Sequence, residues 1–313
     1  MKLMKMDNVK KTAVIMSSYN GEKYICEQVE SILSQNNTEI TLFIRDDGSS
    51  DSTRDIINNL INKYHNIIFL NEKKKENVGV KNSFLLGLRF AYNYVNDFEY
   101  FAFADQDDVW LPEKINTAIK KIGDNNDIPS LYYSNKTFVN EKLELIEEEN
   151  QHFYDDFYAV FFNTGASGCT MVFNRKLASY VIRRIPTYTK LHDQWVFRLA
   201  HCLNGHIVFG ETSYIYYRQH QNNALGMESC KTNRHNWSGI FKKSEHTIQK
   251  ALVEIDEFYH QEIDKDIQKY IQYLGDYDKN IISKFHLATD RLAFRRGFQN
   301  YIFFLGNIIR GSY

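Results

Sequence analysis

Residues 100–108 read YFAFADQDD, so that the apolar run Tyr100–Ala104 leads directly into three carboxylates within the four residues Asp105–Asp108. A short, uninterrupted apolar run is typical of a strand buried on both faces of a parallel sheet. In open α/β sheets, ligands bind beyond the carboxyl ends of such strands. The stretch therefore predicts a buried central strand with a polar site at its end.

Strand and helix patterns alternate upstream of this stretch. Apolar runs at 11–17, 40–44 and 67–70 predict three more strands, and apolar residues at helical spacing predict helices over 22–35, 53–64 and 80–95. Downstream, Pro112 stands where a first-turn proline would open a helix that ends at Ile122. This alternation predicts an α/β fold with a mostly parallel sheet and covering helices.

Two other predicted strands also end in polar residues. Tyr19-Asn20 follows the first strand and Asp46-Asp47 follows the second. We expect both to meet Asp105–Asp108 at one edge of the sheet. The segment 46–51, taken alone, is fully explained by a turn before a capped helix. Beside the other clusters, a carboxylate at this edge could instead accept the imide N–H of a pyrimidine base.

The acidic cluster itself suggests a cation site. On an extended segment, Asp105 and Asp107 project to the same side, where their charges repel unless a cation lies between them. Oxygen ligands suit Mg²⁺ or Mn²⁺, which often share their coordination with substrate phosphates. The structural alternative is a solvated acidic turn at the start of a helix, where the helix dipole also favours aspartate.

Composition limits the class of protein. The 313 residues carry a net charge of -1, with 43% hydrophobic and 25% charged residues. These values exclude disordered, collagen-like and coiled-coil classes, and the neutral total argues against a dedicated nucleic-acid binder.

Four scattered cysteines without a CxxC pair indicate reduced, buried thiols. Residues 1–11 lack the apolar segment of a signal peptide, and no apolar run reaches the ~18–20 residues of a membrane span. We therefore expect a cytoplasmic protein.

With these motifs the chain resembles the family 2 glycosyltransferases, which share the nucleotide-sugar-binding GT-A fold, a Rossmann-like α/β fold. The matching segments, over about residues 11–225, are Val14–Asn20, Asp46–Asp51, Asn77–Gly79, Asp105–Asp108, Gly165–Cys169 and His192–Trp195. A closer resemblance, to bacterial rhamnosyltransferase-type enzymes, is carried by the string Asp105–Trp110, by Tyr217–His220 and by Asn222-Asn223.

The resemblance implies a role for each matching residue. The nucleotide would be bound by Tyr19, Asn20, Glu22, Asp46, Asp47, Asp105 and Arg218, with Asp47 favoured over Asp46 for the base. Mn²⁺ or Mg²⁺ would be held by Asp105, Asp107 and His220. Asp193 would be the catalytic base, for which a plain helix cap is the structural alternative. The acceptor would be contacted by Gly165, Ser167, Gly168, His192 and Trp195.

The resemblance also implies the reaction: inverting, metal-dependent transfer of a sugar from a nucleotide diphosphate donor to a growing surface polysaccharide of the cell wall or capsule, on a glycan or lipid-linked acceptor. The suggested donor is dTDP-L-rhamnose, and a UDP-sugar is the alternative within the same fold. A sugar-phosphate nucleotidyltransferase would favour a glycine-rich loop, which Ser17–Gly21 is not. An inactive binding module would have no reason to keep Asp105, Asp107 and Asp193 together.

The strand pattern stops near residue 225, so we predict a catalytic domain over 1–225 and a helical region over 226–313. Residues 245–278 read as one helix with nine acidic and three basic residues, whereas 284–313 carries a net charge of +4 with interleaved aromatic residues. Such a tail suits an amphipathic helix on the anionic inner face of the plasma membrane. It suits equally a helix packed on the catalytic domain or on a partner subunit, as in a homo-oligomer.

Overall fold

The computed structural model describes residues 9–151, 160, 166–220, 247–289 and 298–310. The strands are β1 (Lys10–Ser18), β2 (Thr38–Asp46), β3 (Ile67–Phe69), β4 (Tyr100–Ala104), β5 (Val109–Trp110), β6 (Ser130–Ser134), β7 (Thr137–Val139), β8 (Leu145–Glu148), β9 (Val172–Asn174), β10 (His206–Gly210) and β11 (Ile215–Arg218). The helices are α1 (Ile25–Leu33), α2 (Thr53–Lys63), α3 (Val80–Tyr94), α4 (Lys114–Ile122), α5 (Arg175–Val181), α6 (His192–Cys202), α7 (Thr247–Tyr259), α8 (Lys265–Asp276), α9 (Ile281–Ala288) and α10 (Phe298–Arg310).

The main sheet has seven strands in the order β10-β6-β9-β4-β1-β2-β3. Its neighbours pair in parallel except around β9, which runs antiparallel to both β4 and β6. The predicted α/β class with a mostly parallel sheet is therefore confirmed. A second sheet, in the order β5-β11-β7-β8, brings the end of β11 next to the segment that follows β4.

Alternate residues of β1, a strand in the middle of the main sheet, face opposite sides of the sheet because the strand is pleated. Val14 and Met16 of β1 pack with α1, α2 and α4, whereas Ala13 and Ile15 pack with α3, α5 and α6. Because both faces are covered, the central strands read as continuous apolar runs, which made them recognisable in the sequence.

The C-terminal helices pack into the core on the face of the sheet that α3, α5 and α6 cover. Leu252, Tyr259, Leu287 and Phe304, from α7, α9 and α10, are buried in the same cluster as Trp195 of α6. The region is thus packed on the α/β part of the chain, which was one of the three alternatives for it. The boundary near residue 225 falls outside the described residues and stays a prediction. Across the described helices, none is both long enough and apolar enough to cross a bilayer.

Two predicted helices differ in their bounds. The single helix predicted over 245–278 is wrong, because Asp264 caps a new helix with its side chain and so separates α7 from α8. Pro112 does not open α4, which begins at Lys114. The residues before it form β5, and the Leu111 amide donates to the Tyr214 carbonyl at 2.9 Å, so the chain stays extended at this point.

Candidate functional site

The segment Asp105–Asp108 lies between β4 and β5, at the carboxyl edge of the parallel strands. Gln106 fixes it to the end of β1, since its side-chain amide accepts from the Tyr19 amide and donates to the Tyr19 carbonyl, both at 2.9 Å. A Cβ at Gly21 would lie 2.1 Å from Gln106 Oε1, so only glycine permits this approach. The two polar strand ends thus form one site.

Two of the predicted metal ligands are in contact. His220, just beyond β11, places Nε2 2.8 Å from Oδ2 of Asp107. The small sheet makes this contact, because it pairs β11 with β5 directly after the acidic segment. The third predicted ligand, Asp105, lies two residues before Asp107, at the end of β4.

The electrostatics of Asp105 fit a divalent cation. Burial raises the pKa of its carboxyl to about 7, and the negative charges of Asp107 and Asp193 add to the effect, against the positive charge of Lys136. Carboxylates crowded in this way favour a cation between them. The side chains of Asp105, Asp107 and His220 offer two oxygen ligands and one nitrogen ligand, a set that Mn²⁺ accepts and that Mg²⁺ accepts through its oxygens.

A neighbouring cluster is less suited to these ions. Ligand atoms of Asp105, Asp108 and Cys169 lie within 4.8 Å of one another. Burial, with the charges of Asp108 and Asp105, raises the pKa of the Cys169 thiol well above its usual range. A protonated sulfur is a poor ligand for Mg²⁺ or Mn²⁺. Cys169 therefore packs beside the site.

Arg218, which the resemblance assigns to the nucleotide, is held by groups of the protein itself. The residue is buried, and its guanidinium donates to the Asp107 and Glu141 carbonyls and to the Glu27 carboxylate. The ring of Tyr24 lies 4.5 Å from the guanidinium carbon. Arg218 thus ties the acidic segment to α1 and to the β7–β8 hairpin.

Asp193 is the second residue of α6 and is not its N-cap, which is Leu191. Its Oδ1 accepts from the Gln194 amide at 2.6 Å, and its Oδ2 accepts from the Gly168 amide at 3.1 Å. Its charge contributes to the raised pKa of Asp105. A carboxylate oriented by two amides therefore lies close enough to Asp105 to raise the pKa of its carboxyl.

His192 and Gly168 pack against each other beside Asp193. The imidazole stacks on Phe84 with ring centroids 3.9 Å apart and meets Phe103 edge-on at 4.7 Å. Burial lowers the pKa of His192 to about 4, so the ring is neutral. Within the described residues neither ring nitrogen has a hydrogen-bond partner. A Cβ on Gly168 would lie 2.5 Å from Nε2.

Two other residues predicted to contact the acceptor are placed differently. Trp195 is fully buried and packs near Tyr259 with ring centroids 6.2 Å apart, so it belongs to the core and not to an acceptor surface. At this position the sequence motif therefore supplies an aromatic ring that α6 buries in the core. Ser167 lies next to Gly168 and accepts from Lys136 Nζ at 2.7 Å. Gly165 and the Asn222-Asn223 pair lie outside the described residues.

The two aspartates that end β2 have unequal capacity for a ligand. The fully buried Asp46 carboxylate already accepts from the side chains or amides of Ser18, Gly48, Ser49 and Arg54. Its lone pairs are occupied, so Asp46 organises the turn.

Asp47 retains one acceptor position. Its Oδ1 accepts from Arg45 and from the Val78 amide, both at 2.8 Å, whereas Oδ2 accepts from the Gly79 amide at 3.0 Å. A carboxylate offers about four lone-pair sites. Asp47 therefore anchors the 77–79 loop and still has room for a further donor at Oδ2.

The loop after β1 is held to the loop after β2. Asn20 adopts φ 48°, and its side chain accepts from the Ser50 amide at 2.8 Å. Glu22 accepts from the Ser52 amide at 2.9 Å. These two side chains shape the predicted nucleotide pocket, whereas the Tyr19 ring, 52% exposed, is free to contact a ligand.

Sequence reasoning missed two side chains at this site. Gln106 was passed over because it stands between two aspartates that carry the charge. Lys136 is a single lysine at the start of β7, and it is brought to the acidic segment only by the folding of both sheets. For Lys136, no local pattern in the sequence gives a signal.

The family model described as Glycosyl transferase family 2 matches residues 13–181, which is 169 of the 313 residues. The chain therefore belongs to the family 2 glycosyltransferases, and the predicted enzyme class is confirmed. As a member of this family it is an enzyme that uses a nucleotide-sugar donor.

Similar proteins include the dTDP-rhamnosyl transferase RfbG of Shigella flexneri, 27% identical over 268 residues that cover 80% of this chain and 88% of that protein. The UDP-Glc:alpha-D-GlcNAc-diphosphoundecaprenol beta-1,3-glucosyltransferase WfaP of Escherichia coli is 34% identical over 110 residues, which are 34% of this chain and 39% of that one.

Solved structures with the same fold include S. aureus TarS 1-349 in complex with UDP-GlcNAc, with a TM-score of 0.57 and 20% identity over 97% of this chain and 82% of that one. The mannosyltransferase PcManGT from Pyrobaculum calidifontis, in complex with GDP-Man and Mn²⁺, has a TM-score of 0.50 and 14% identity, covering 98% and 86%. These likenesses confirm the predicted GT-A fold.

Proposed function

We propose that the protein is an inverting, divalent-metal-dependent glycosyltransferase that uses a nucleotide diphosphate sugar, with dTDP-L-rhamnose as the first donor to test, and extends a surface polysaccharide. The observation that supports the proposal is the Asp193 carboxylate, which two amides orient and whose charge raises the pKa of Asp105 at the carboxyl edge of the sheet. The donor assignment is supported by the similarity to RfbG over most of both chains.

Different residues at the sheet edge would bind different parts of the donor. Asp47 Oδ2 would accept the imide N–H of the base, and the exposed Tyr19 ring would lie against the nucleoside. Asp105, Asp107 and His220 would hold Mn²⁺ or Mg²⁺ at the diphosphate. When bound, such an ion neutralises the charge that develops on the leaving diphosphate.

Asp193 is the proposed general base. As an acceptor hydroxyl attacks the anomeric carbon, Asp193 takes its proton, and the bond between that carbon and the diphosphate oxygen breaks. Attack from the face opposite the leaving group inverts the anomeric centre. The Gly168 and Gln194 amides each hold one carboxylate oxygen and leave the remaining lone pairs for this proton.

The test is a panel of nucleotide sugars with Mn²⁺ or Mg²⁺, scored first by thermal stabilisation and then by transfer to a lipid-linked glycan. Stabilisation by dTDP-L-rhamnose and transfer of rhamnose support the proposal. Stabilisation by a UDP-sugar alone would show that the donor is a UDP-sugar and not dTDP-L-rhamnose. Release of pyrophosphate from a nucleoside triphosphate and a sugar phosphate would identify a nucleotidyltransferase instead.

The variant Asp193→Ala tests the base. We expect transfer to fall by about 10²–10⁴-fold while nucleotide and metal binding persist. The matched control is Asp127→Ala, which removes an exposed carboxylate outside the site. Transfer by Asp193→Ala at the wild-type rate would show that another group takes the proton.

A peripheral membrane contact through 284–313 is also part of this proposal. Exposed apolar side chains line α9 and α10, namely Ile281, Ile282, Phe285, Ile302 and Ile309. Lys284 Nζ donates to the Ile309 carbonyl at 3.0 Å and so joins the two helices. Apolar side chains flanked by a net positive segment suit an anionic lipid surface.

Vesicle flotation tests this contact. The full chain should float with anionic vesicles and not with neutral ones, and Phe285→Ser/Ile309→Ser should lose the binding. Leu145→Ser, at an equally exposed residue of β8, is the matched control and should float like the wild type. Failure of the full chain to float would refute the contact, and a dimer in light scattering would favour a second copy on this surface.

A further inference from the structure

A buried lysine connects the acidic segment to the turn that holds Asp193. Lys136 is 3% exposed, and its Nζ donates to Ser167 Oγ at 2.7 Å. The same nitrogen lies 3.8 Å from the Glu149 carboxylate and 4.8 Å from the centre of the Tyr217 ring. Taking an ammonium out of water is costly, so a buried lysine needs a compensating role.

The partner of Lys136 is next to the residue that binds the candidate base. Ser167 precedes Gly168, whose amide donates to Asp193 Oδ2 at 3.1 Å. The Ser167 carbonyl in turn accepts from the Thr170 amide at 3.0 Å, which closes the turn. Fixing the Ser167 hydroxyl therefore fixes the Gly168 amide, and with it the direction of the Asp193 carboxylate.

Lys136 also belongs to the electrostatics of the site. Its ammonium donates to the Ser167 hydroxyl at 2.7 Å and lies 4.8 and 5.4 Å from the centres of the Tyr217 and Phe138 rings. The lysine thus brings a positive charge beside the turn that holds the Asp193 carboxylate. A residue needed only for packing would not have to bring a charge to this place.

We propose that Lys136 is a positioning residue for transfer, which acts through Ser167 and the Gly168 amide to orient Asp193 relative to the donor. This inference rests on the proposed function, because it takes Asp193 as the base. It adds a role for a buried residue that would act through Ser167.

The test compares Lys136→Met, Ser167→Ala and the double variant. We expect each single variant to lower kcat by about 10–100-fold, since small misplacements of a catalytic group are this costly. For Ser167→Ala, which keeps the charge, the KM for the donor should stay within about threefold of wild type. The double variant should match Lys136→Met within about twofold, because the hydrogen bond is already lost there.

A second measurement does not depend on turnover. Hydrogen exchange of segment 166–172 should rise in both single variants, because the Gly168 amide is no longer held, and should not rise in the control Lys142→Met, an exposed lysine. Unchanged exchange would overturn the proposal even in a protein that transfers no sugar. Unchanged kcat in Ser167→Ala, or losses that simply add in the double variant, would overturn it in an active one.

Discussion

Substitution of Gly168 by alanine should both destabilise the protein and disconnect Asp193. The new Cβ would lie 2.5 Å from His192 Nε2 and 3.2 Å from Cε1, whereas carbon contacts are comfortable at about 3.5–4.0 Å. The imidazole cannot retreat, because Phe84 and Phe103 hold it at 3.9 and 4.7 Å between ring centroids. The turn must therefore shift by about 1 Å, which breaks the 3.1 Å contact from Gly168 to Asp193.

Overpacking of this kind costs about 1–3 kcal/mol, which corresponds to a loss of roughly 2–10 °C in Tm for a chain of this size. A misplaced base should lower transfer by about 10²-fold. Calorimetry measures the loss in Tm, and initial rates of sugar transfer measure the fall in activity. The matched control is Gly306→Ala in α10, where a Cβ meets nothing within 4 Å.

The variant Gly168→Ala/His192→Ala identifies the contact that is responsible. Because the second change removes the ring that the Cβ would strike, the two losses of stability should not add, and the coupling should be about 1 kcal/mol or more. An unchanged Tm in Gly168→Ala, with full transfer, would refute both the clash and the role of this turn. Strictly additive losses would refute the contact with His192.

Two further predictions concern charged side chains. Asp107→Ala should abolish the stabilisation of the nucleotide complex by Mn²⁺ in thermal-shift titrations, because it removes the carboxylate that contacts His220, whereas the exposed control Asp127→Ala should not. Lys114→Met should raise stability at pH 7 by about 1–3 kcal/mol in urea unfolding, since burial lowers the pKa of the lysine from 10.5 to about 8. Below pH 8 the folded wild-type protein carries this buried charge. Between pH 8 and 10.5 the lysine is protonated in the unfolded chain but neutral in the folded protein, so the stability of the wild type rises with pH. The advantage of the variant therefore vanishes toward pH 10.5. The control Lys121→Met, exposed on α4, should be neutral, and a gain that persists at pH 10.5 would contradict the charge as the cause.

Much of the fold could be predicted because its strands are buried on both faces. β1, β2 and β4 were recognised within two residues of their ends, since each is a continuous apolar run followed by polar residues. The small sheet was not predicted. β5 has two residues and pairs with β11 about a hundred positions later, and such a distant pairing leaves no local pattern.

The candidate site was predicted unevenly for a similar reason. Asp107 contacts His220, and Asp193 lies close enough to Asp105 to raise the pKa of its carboxyl, whereas among the described residues the ligand atoms that cluster with Asp105 are those of Asp108 and Cys169. Arg218 has the right chemistry for phosphate, but its guanidinium turns inward because the Asp107 and Glu141 carbonyls and Glu27 surround it. A motif specifies the type of residue, whereas the direction of a side chain depends on neighbours that are distant in the chain.

The distribution of charge at the site gives an order to donor binding. The charges of Asp107 and Asp193 raise the pKa of Asp105, and the positive charge of Lys136 lowers it. A diphosphate brings further negative charge to the same edge of the sheet, where repulsion in a partly buried site is strong. If the proposed metal dependence holds, a divalent ion would enter before the donor or together with it. Donor affinity should then rise steeply with Mn²⁺ concentration, and the single positive charge of Lys136 should not replace the ion.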